Sequence, residues 1–157
     1  IRTGTWFKTK VKYQKTMEDG SEKVVSEAYV VDALSFTEAE SAIIEEMSVY
    51  VSGELKVSNL GKASYNEIFF SDVDDDDKFY TCKLQFITID EKSEKEKRSN
   101  VTYLVQAKSL ARALRYVDEA MGKTMIDYDI VGLNETKVFD VFEHHAPSSE
   151  NKEEKNE

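Results

Sequence analysis

One stretch of this chain occurs twice, and that repeat limits the fold more than any other feature. Tyr29-Val-Val-Asp-Ala-Leu-Ser-Phe-Thr-Glu-Ala-Glu runs on to Met47, and Tyr103-Leu-Val-Gln-Ala-Lys-Ser-Leu-Ala-Arg-Ala-Leu runs on to Met121. A shift of 74 positions places Tyr29 on Tyr103, Val31 on Val105, Ala33 on Ala107, Ser35 on Ser109 and Met47 on Met121. Each copy reads as a strand that turns through a serine into an amphipathic helix. Ser35 and Glu38 form a capping box, in which the serine oxygen accepts from an amide of the first turn and the glutamate reaches back. The second copy keeps Ser109 but has Arg112 in place of the glutamate.

The segments before these stretches also correspond. Trp6 to Lys15 alternates, with Phe7, Thr9, Val11 and Tyr13 on one face and Trp6, Lys8, Lys10 and Lys12 on the other. Phe79 to Phe86 repeats this with Tyr80, Cys82, Leu84 and Phe86 facing inward. A period of two over this length predicts half-buried strands. Two shorter strands follow each helix: Leu55 to Ser58 and Tyr65 to Phe70 in the first copy, Met125 to Val131 and Lys137 to Phe142 in the second. The expected fold is α+β: two tandem ββαββ repeats with pseudo-twofold symmetry, mostly antiparallel sheet and one helix per repeat. Residues 5–70 and 79–142 are the repeats and residues 71–78 an acidic linker. The repeats together form one globular unit over residues 1–142, and residues 143–157 are an acidic tail expected to be disordered.

Charge narrows the function. The net charge is −10, and residues 71–78 and 143–157 carry most of the excess. Such a balance disfavours non-specific binding to DNA or anionic lipid. Adjacent carboxylates repel, so the linker is expected to be exposed and poorly structured. The single cysteine, Cys82, excludes an intramolecular disulfide framework and a cysteine-based zinc site. No apolar run is long enough to cross a bilayer and no signal segment is visible, so no membrane partner and a cytoplasmic setting are expected.

The residues that carry the repeat also resemble a known family. Trp6-Phe7 with its alternating lysines, the stretch from Tyr29 to Glu40, Ile43-Ile-Glu-Glu-Met47, Ser52-Gly-Glu54, and Phe79 to Lys92 are similar to the family catalogued as domain of unknown function 4494. The resemblance spans about residues 5–142. It implies a small protein of gut anaerobic bacteria, their phages and mobile elements, and it transfers no catalytic residues.

Chemistry is sparse. In Asp72-Val-Asp-Asp-Asp-Asp77, a calcium loop would need glycine at position six and glutamate at twelve, where Asp77 and Lys83 stand. His144 and His145 are the only histidines and belong to the tail. No nucleophile elbow and no phosphate-cradling glycine loop occurs. No enzymatic activity, catalytic residue, metal site or cofactor is expected. Two binding readings remain. Trp6, Lys8, Lys10 and Lys12, with Phe79 and Lys83 in the second copy, match an aromatic-and-lysine platform for single-stranded DNA or RNA. The strand order over residues 55–121 resembles, in order alone, the single-strand-binding whirly and Pur-type folds. The alternative is an acidic protein-interaction module or inhibitor. Glu38, Glu40, Glu45 and Glu46 of the first helix would then meet a basic host or replication protein. Exposed sheet edges also leave room for a homodimer.

Overall fold

The computed structural model describes residues 5–143. Its order is β1 (Thr5–Thr16), β2 (Glu22–Ala33), α1 (Phe36–Met47), β3 (Leu55–Lys62) and β4 (Glu67–Phe69), then β5 (Lys78–Ile89), β6 (Glu96–Ala107), α2 (Leu110–Gly122), β7 (Asp127–Glu135) and β8 (Val138–Phe142). This is strand-strand-helix-strand-strand, twice. The tail from residue 144 on, with His144 and His145, lies outside the described residues.

The local reasons hold in both copies. Long hairpins pair β1 with β2 and β5 with β6 over twelve residues each, antiparallel. The first closes through Gly20, whose φ of 87° suits a residue without Cβ. Ser35 accepts from the Glu38 amide and Ser109 from the Arg112 amide, both at 3.1 Å. Glu38 reaches back one residue further than the usual box, accepting from the Leu34 amide at 3.1 Å. Each helix then covers one face of its hairpin. Ala39, Ile43 and Met47 lie on Phe7, Val11, Tyr29 and Val31. Ala113, Val117 and Met121 lie on Tyr80, Leu84, Tyr103 and Val105, with Cys82 buried among them. The β1–β3 and β5–β7 ladders bulge at matching places. Ser58 is the extra residue opposite Lys10 and Val11, and Val131 is the extra residue opposite Lys83 and Leu84.

The fourth strands depart from the sequence repeat. One sheet has the order β3-β1-β2-β8 and the other β4-β6-β5-β7. β8 of the second copy pairs parallel with β2, and β4 of the first copy pairs parallel with β6. The exchange is reciprocal in register as well: Asp140 lies opposite Tyr29 and Glu67 opposite Tyr103. Among the described residues, the compact units are therefore 5–63 with 138–143, and 64–137. They cut across the repeats 5–70 and 79–142. The strand order in space also parts this chain from the whirly and Pur-type analogy, because β3 lies in one sheet and β4 to β6 in the other. β3 runs on to Lys62, past the Leu55 to Ser58 strand read from the pattern, and β4 is shorter than the Tyr65 to Phe70 strand.

Candidate functional site

The aromatic-and-lysine platform is only half present. Lys8, Lys10 and Lys12 are exposed on the sheet face away from α1, and Lys56 stands opposite Lys12 on β3. Lys83 is exposed in the second unit. The rings are not available: Trp6 is 3% exposed and Phe79 2%. Val30 and Leu104 on the same outward-facing stripes are buried too. Alternation separates the two faces of a strand but does not tell which is covered. The outward stripe is thus apolar packing at one end and lysine at the other. Bases cannot stack on these two rings in this conformation.

The acidic linker is also more ordered than charge repulsion predicts. Asp76 is 2% exposed. Its Oδ2 accepts from the Ser71 and Tyr116 hydroxyls, each at 2.5 Å, and its Oδ1 lies 3.6 Å from Nη1 of Arg112. Burial raises the pKa of this carboxyl. The two hydroxyls, Arg112 and the Lys108 amide outweigh that and hold it below its usual range. Arg112, which stands where the second capping box lacks its glutamate, is therefore the partner of this clasp. Asp72, Asp74, Asp75 and Asp77 stay exposed.

The first unit contains a hollow of about 540 Å³ that the sequence reading did not find. The ends of β1 and β2 form its floor, the exit of α1 one wall, and β8 the other. Tyr13, Tyr29, Tyr50, Phe139 and Phe142 supply rings, and Glu27 and Asp140 supply carboxylates. Tyr29 stacks on Phe142 at 5.4 Å and meets Phe139 edge-on at 5.7 Å. The hydroxyls of Tyr13 and Tyr29 both donate to Oε1 of Glu27, at 2.9 and 2.8 Å. Burial first, then the bond to Glu27 and its charge, push the Tyr13 phenol up to about 12. The same causes raise Tyr29 further, with Asp140 adding to them. The rim is open, with Phe139 63% and Tyr50 72% exposed.

Hairpin register brings this group together. Thr9 faces Tyr29 and Val11 faces Glu27, so Tyr13, Glu27 and Tyr29 share one face. One sequence signal could have found it. The inward residues of β2 are Val25, Glu27, Tyr29, Val31 and Ala33, and the carboxylate interrupts an otherwise apolar stripe. The acidic residues of α1 divide by role: Glu38 serves the helix cap, Glu40 and Glu45 are exposed, and Glu46 is half-buried.

These features define an α+β protein of two four-stranded sheets, each with one helix, and with an aromatic hollow in the first unit that holds a carboxylate. The chain belongs to the family described as Domain of unknown function (DUF4494), whose model matches residues 5–144. No curated protein matches it. No helix among the described residues is long and apolar enough to cross a membrane.

Proposed function

We propose that the protein is a non-enzymatic binding protein whose site is the aromatic pocket of the first unit, engaged by a protein partner. One observation carries this reading: an inward-facing carboxylate, bonded by two tyrosines, opens into a hollow with an exposed aromatic rim. A few convergent polar groups in an aromatic concavity are what binding sites share. Exposed rings such as Phe139 and Tyr50 contribute most where a partner buries them. The exposed Glu40 and Glu45 add to the negative field that would steer a basic partner. A cytoplasmic setting, in a phage or mobile element, is part of the proposal. The family resemblance and the buried free thiol of Cys82 support it.

A second reading keeps single-stranded nucleic acid as the ligand. The exposed row of Lys8, Lys10, Lys12 and Lys56 favours it. Without the two buried rings it rests on charge alone. Affinity capture with paired variants separates the two. A partner held by the wild type and by a Lys8/Lys10/Lys12 triple alanine variant, but lost with Phe139→Ala, supports the pocket. The reverse pattern, with oligonucleotide in the captured material, sinks it.

A further inference from the structure

We infer that the pocket of the first unit takes the side-chain ammonium of a lysine presented by a basic polypeptide. This rests on the reading of the pocket as the binding site and names its ligand.

The walls are the first argument. Aromatic faces attract cations through the ring quadrupole, and several rings around one space form a cage for an ammonium group. Tyr29, Phe139 and Phe142 are already fixed against one another. The floor is the second. Oε1 of Glu27 accepts two hydroxyls, which fills both of its lone-pair directions. Oε2 accepts nothing among the described residues, so the hollow presents an open acceptor carrying negative charge. Asp140 adds a second carboxylate, one oxygen of which accepts from the Val141 amide at 2.8 Å. Lys15 also lines the mouth, which leaves two carboxylates against one ammonium. Burial and Glu27 make both phenols harder to ionise, and Asp140 adds to this at Tyr29, as expected of a space that resists further negative charge.

The second copy provides the third argument. Its residues at the positions of Tyr13, Glu27 and Tyr29 are Phe86, Val101 and Tyr103. The scaffold therefore closes without a carboxylate, and stability of the fold does not account for Glu27.

Geometry selects lysine over arginine. A guanidinium binds a carboxylate best through two parallel bonds, and the tyrosines have taken one of the two oxygens. A compact ammonium needs only Oε2. A polypeptide source follows from the open rim and from the net charge of −10, which draws basic surfaces towards the protein.

Short blocked peptides with a central lysine, arginine or norleucine would be titrated into the 157-residue chain and followed by the ring resonances of Tyr13, Tyr29 and Tyr50. The lysine peptide should shift these rings saturably and bind about tenfold or more tighter than norleucine, corresponding to about 1.4 kcal/mol. Glu27→Gln should abolish that preference. Phe139→Ala, at a rim position 63% exposed, should weaken lysine binding several-fold while the urea midpoint stays close to that of the wild type. Norleucine or arginine binding as tightly as lysine overturns this inference and leaves the pocket as a binding site. Free butylamine binding as tightly as the lysine peptide overturns the polypeptide source. No shift with any probe overturns both the inference and the pocket reading.

Discussion

In the first unit Tyr13 and Tyr29 donate to Glu27 beside an open hollow. At the corresponding place in the second unit stand Phe86, Tyr103 and Val101, and the Tyr103 hydroxyl donates to the Met121 sulfur at 3.9 Å. Phe69 packs on Tyr103 at 4.8 Å, as Phe142 packs on Tyr29. The second unit has its own polar device, the Asp76 clasp. The first unit cannot build it, because Ala42 and Glu38 occupy the positions of Tyr116 and Arg112. Hairpin register, bulge, serine cap and apolar core are common to both units. Polar groups inside the core are where they part. What the two share is what the fold requires; what they do not share is free to serve something else.

Exchanging the divergent residues tests that distinction most severely. Val101→Glu places a carboxylate at a 7% exposed position with no tyrosine at 86 to meet it. It should cost about 3 kcal/mol or more, as an uncompensated buried charge. Glu27→Val should cost only about 1 kcal/mol, the loss of hydrogen bonds whose tyrosines stay in place. Urea denaturation of both variants checks this. Equal costs would break the comparison, since the two sites would then tolerate the same chemistry.

The clasp should come next in size. Asp76→Ala is expected to destabilise by about 1–3 kcal/mol, because the Ser71 and Tyr116 hydroxyls lose their acceptor. Its pH dependence has a definite sign. The folded pKa lies below the ordinary 3.8, so the clasp's contribution is complete above that value and is lost as pH falls through the folded pKa. Stability of the wild type should therefore decline in acid more steeply than that of Asp76→Asn. Urea midpoints between neutral pH and about pH 2 measure the difference. Parallel curves would show that the carboxyl titrates alike in both states.

A milder perturbation sharpens the pocket half. Tyr13 should ionise near 12, and its contribution to stability is present below 10 and lost as pH rises through 12. Ultraviolet titration should show Glu27→Gln moving this step towards 10 without reaching it, since burial is the larger cause. The second unit has Phe86 at this position, so no phenol titrates there.

Much of the fold was legible in the sequence because its signals are local. Period-two alternation marked β1 and β5, Ser35 and Ser109 marked the helix starts, and the shift of 74 paired the copies. The sheet partners were not legible. β4 has three residues and β8 five, and a parallel pairing with a distant strand leaves no local mark. The site was harder to see for the same reason. Phe139, Asp140 and Phe142 reach the pocket only through the exchanged strand, so Glu27 stood out only as a break in an apolar stripe. Trp6 misled because alternation cannot report what covers a face. Asp76 misled because a run of carboxylates was treated as uniform, although one of them has Arg112 and two hydroxyls within reach.

The lysine row should give the smallest stability effect and bears on the competing function. Each of Lys8→Ala, Lys10→Ala and Lys12→Ala should lie within about 0.5 kcal/mol of wild type, as exposed strand positions do. With Trp6 and Phe79 buried, single-stranded DNA loses the stacking that is worth about 1–3 kcal/mol per base. Any binding of poly-dT would then be purely electrostatic. Each phosphate neutralised changes the salt slope by about 0.7, so three lysines give a slope of about −2, and the triple alanine variant should lose it. The emission of Trp6 should not change during that titration. Saturable quenching would mean that the indole leaves its buried position to meet a base. The outward faces of the two sheets, which look alike in holding a buried ring at one end, would then have to differ in how readily they open.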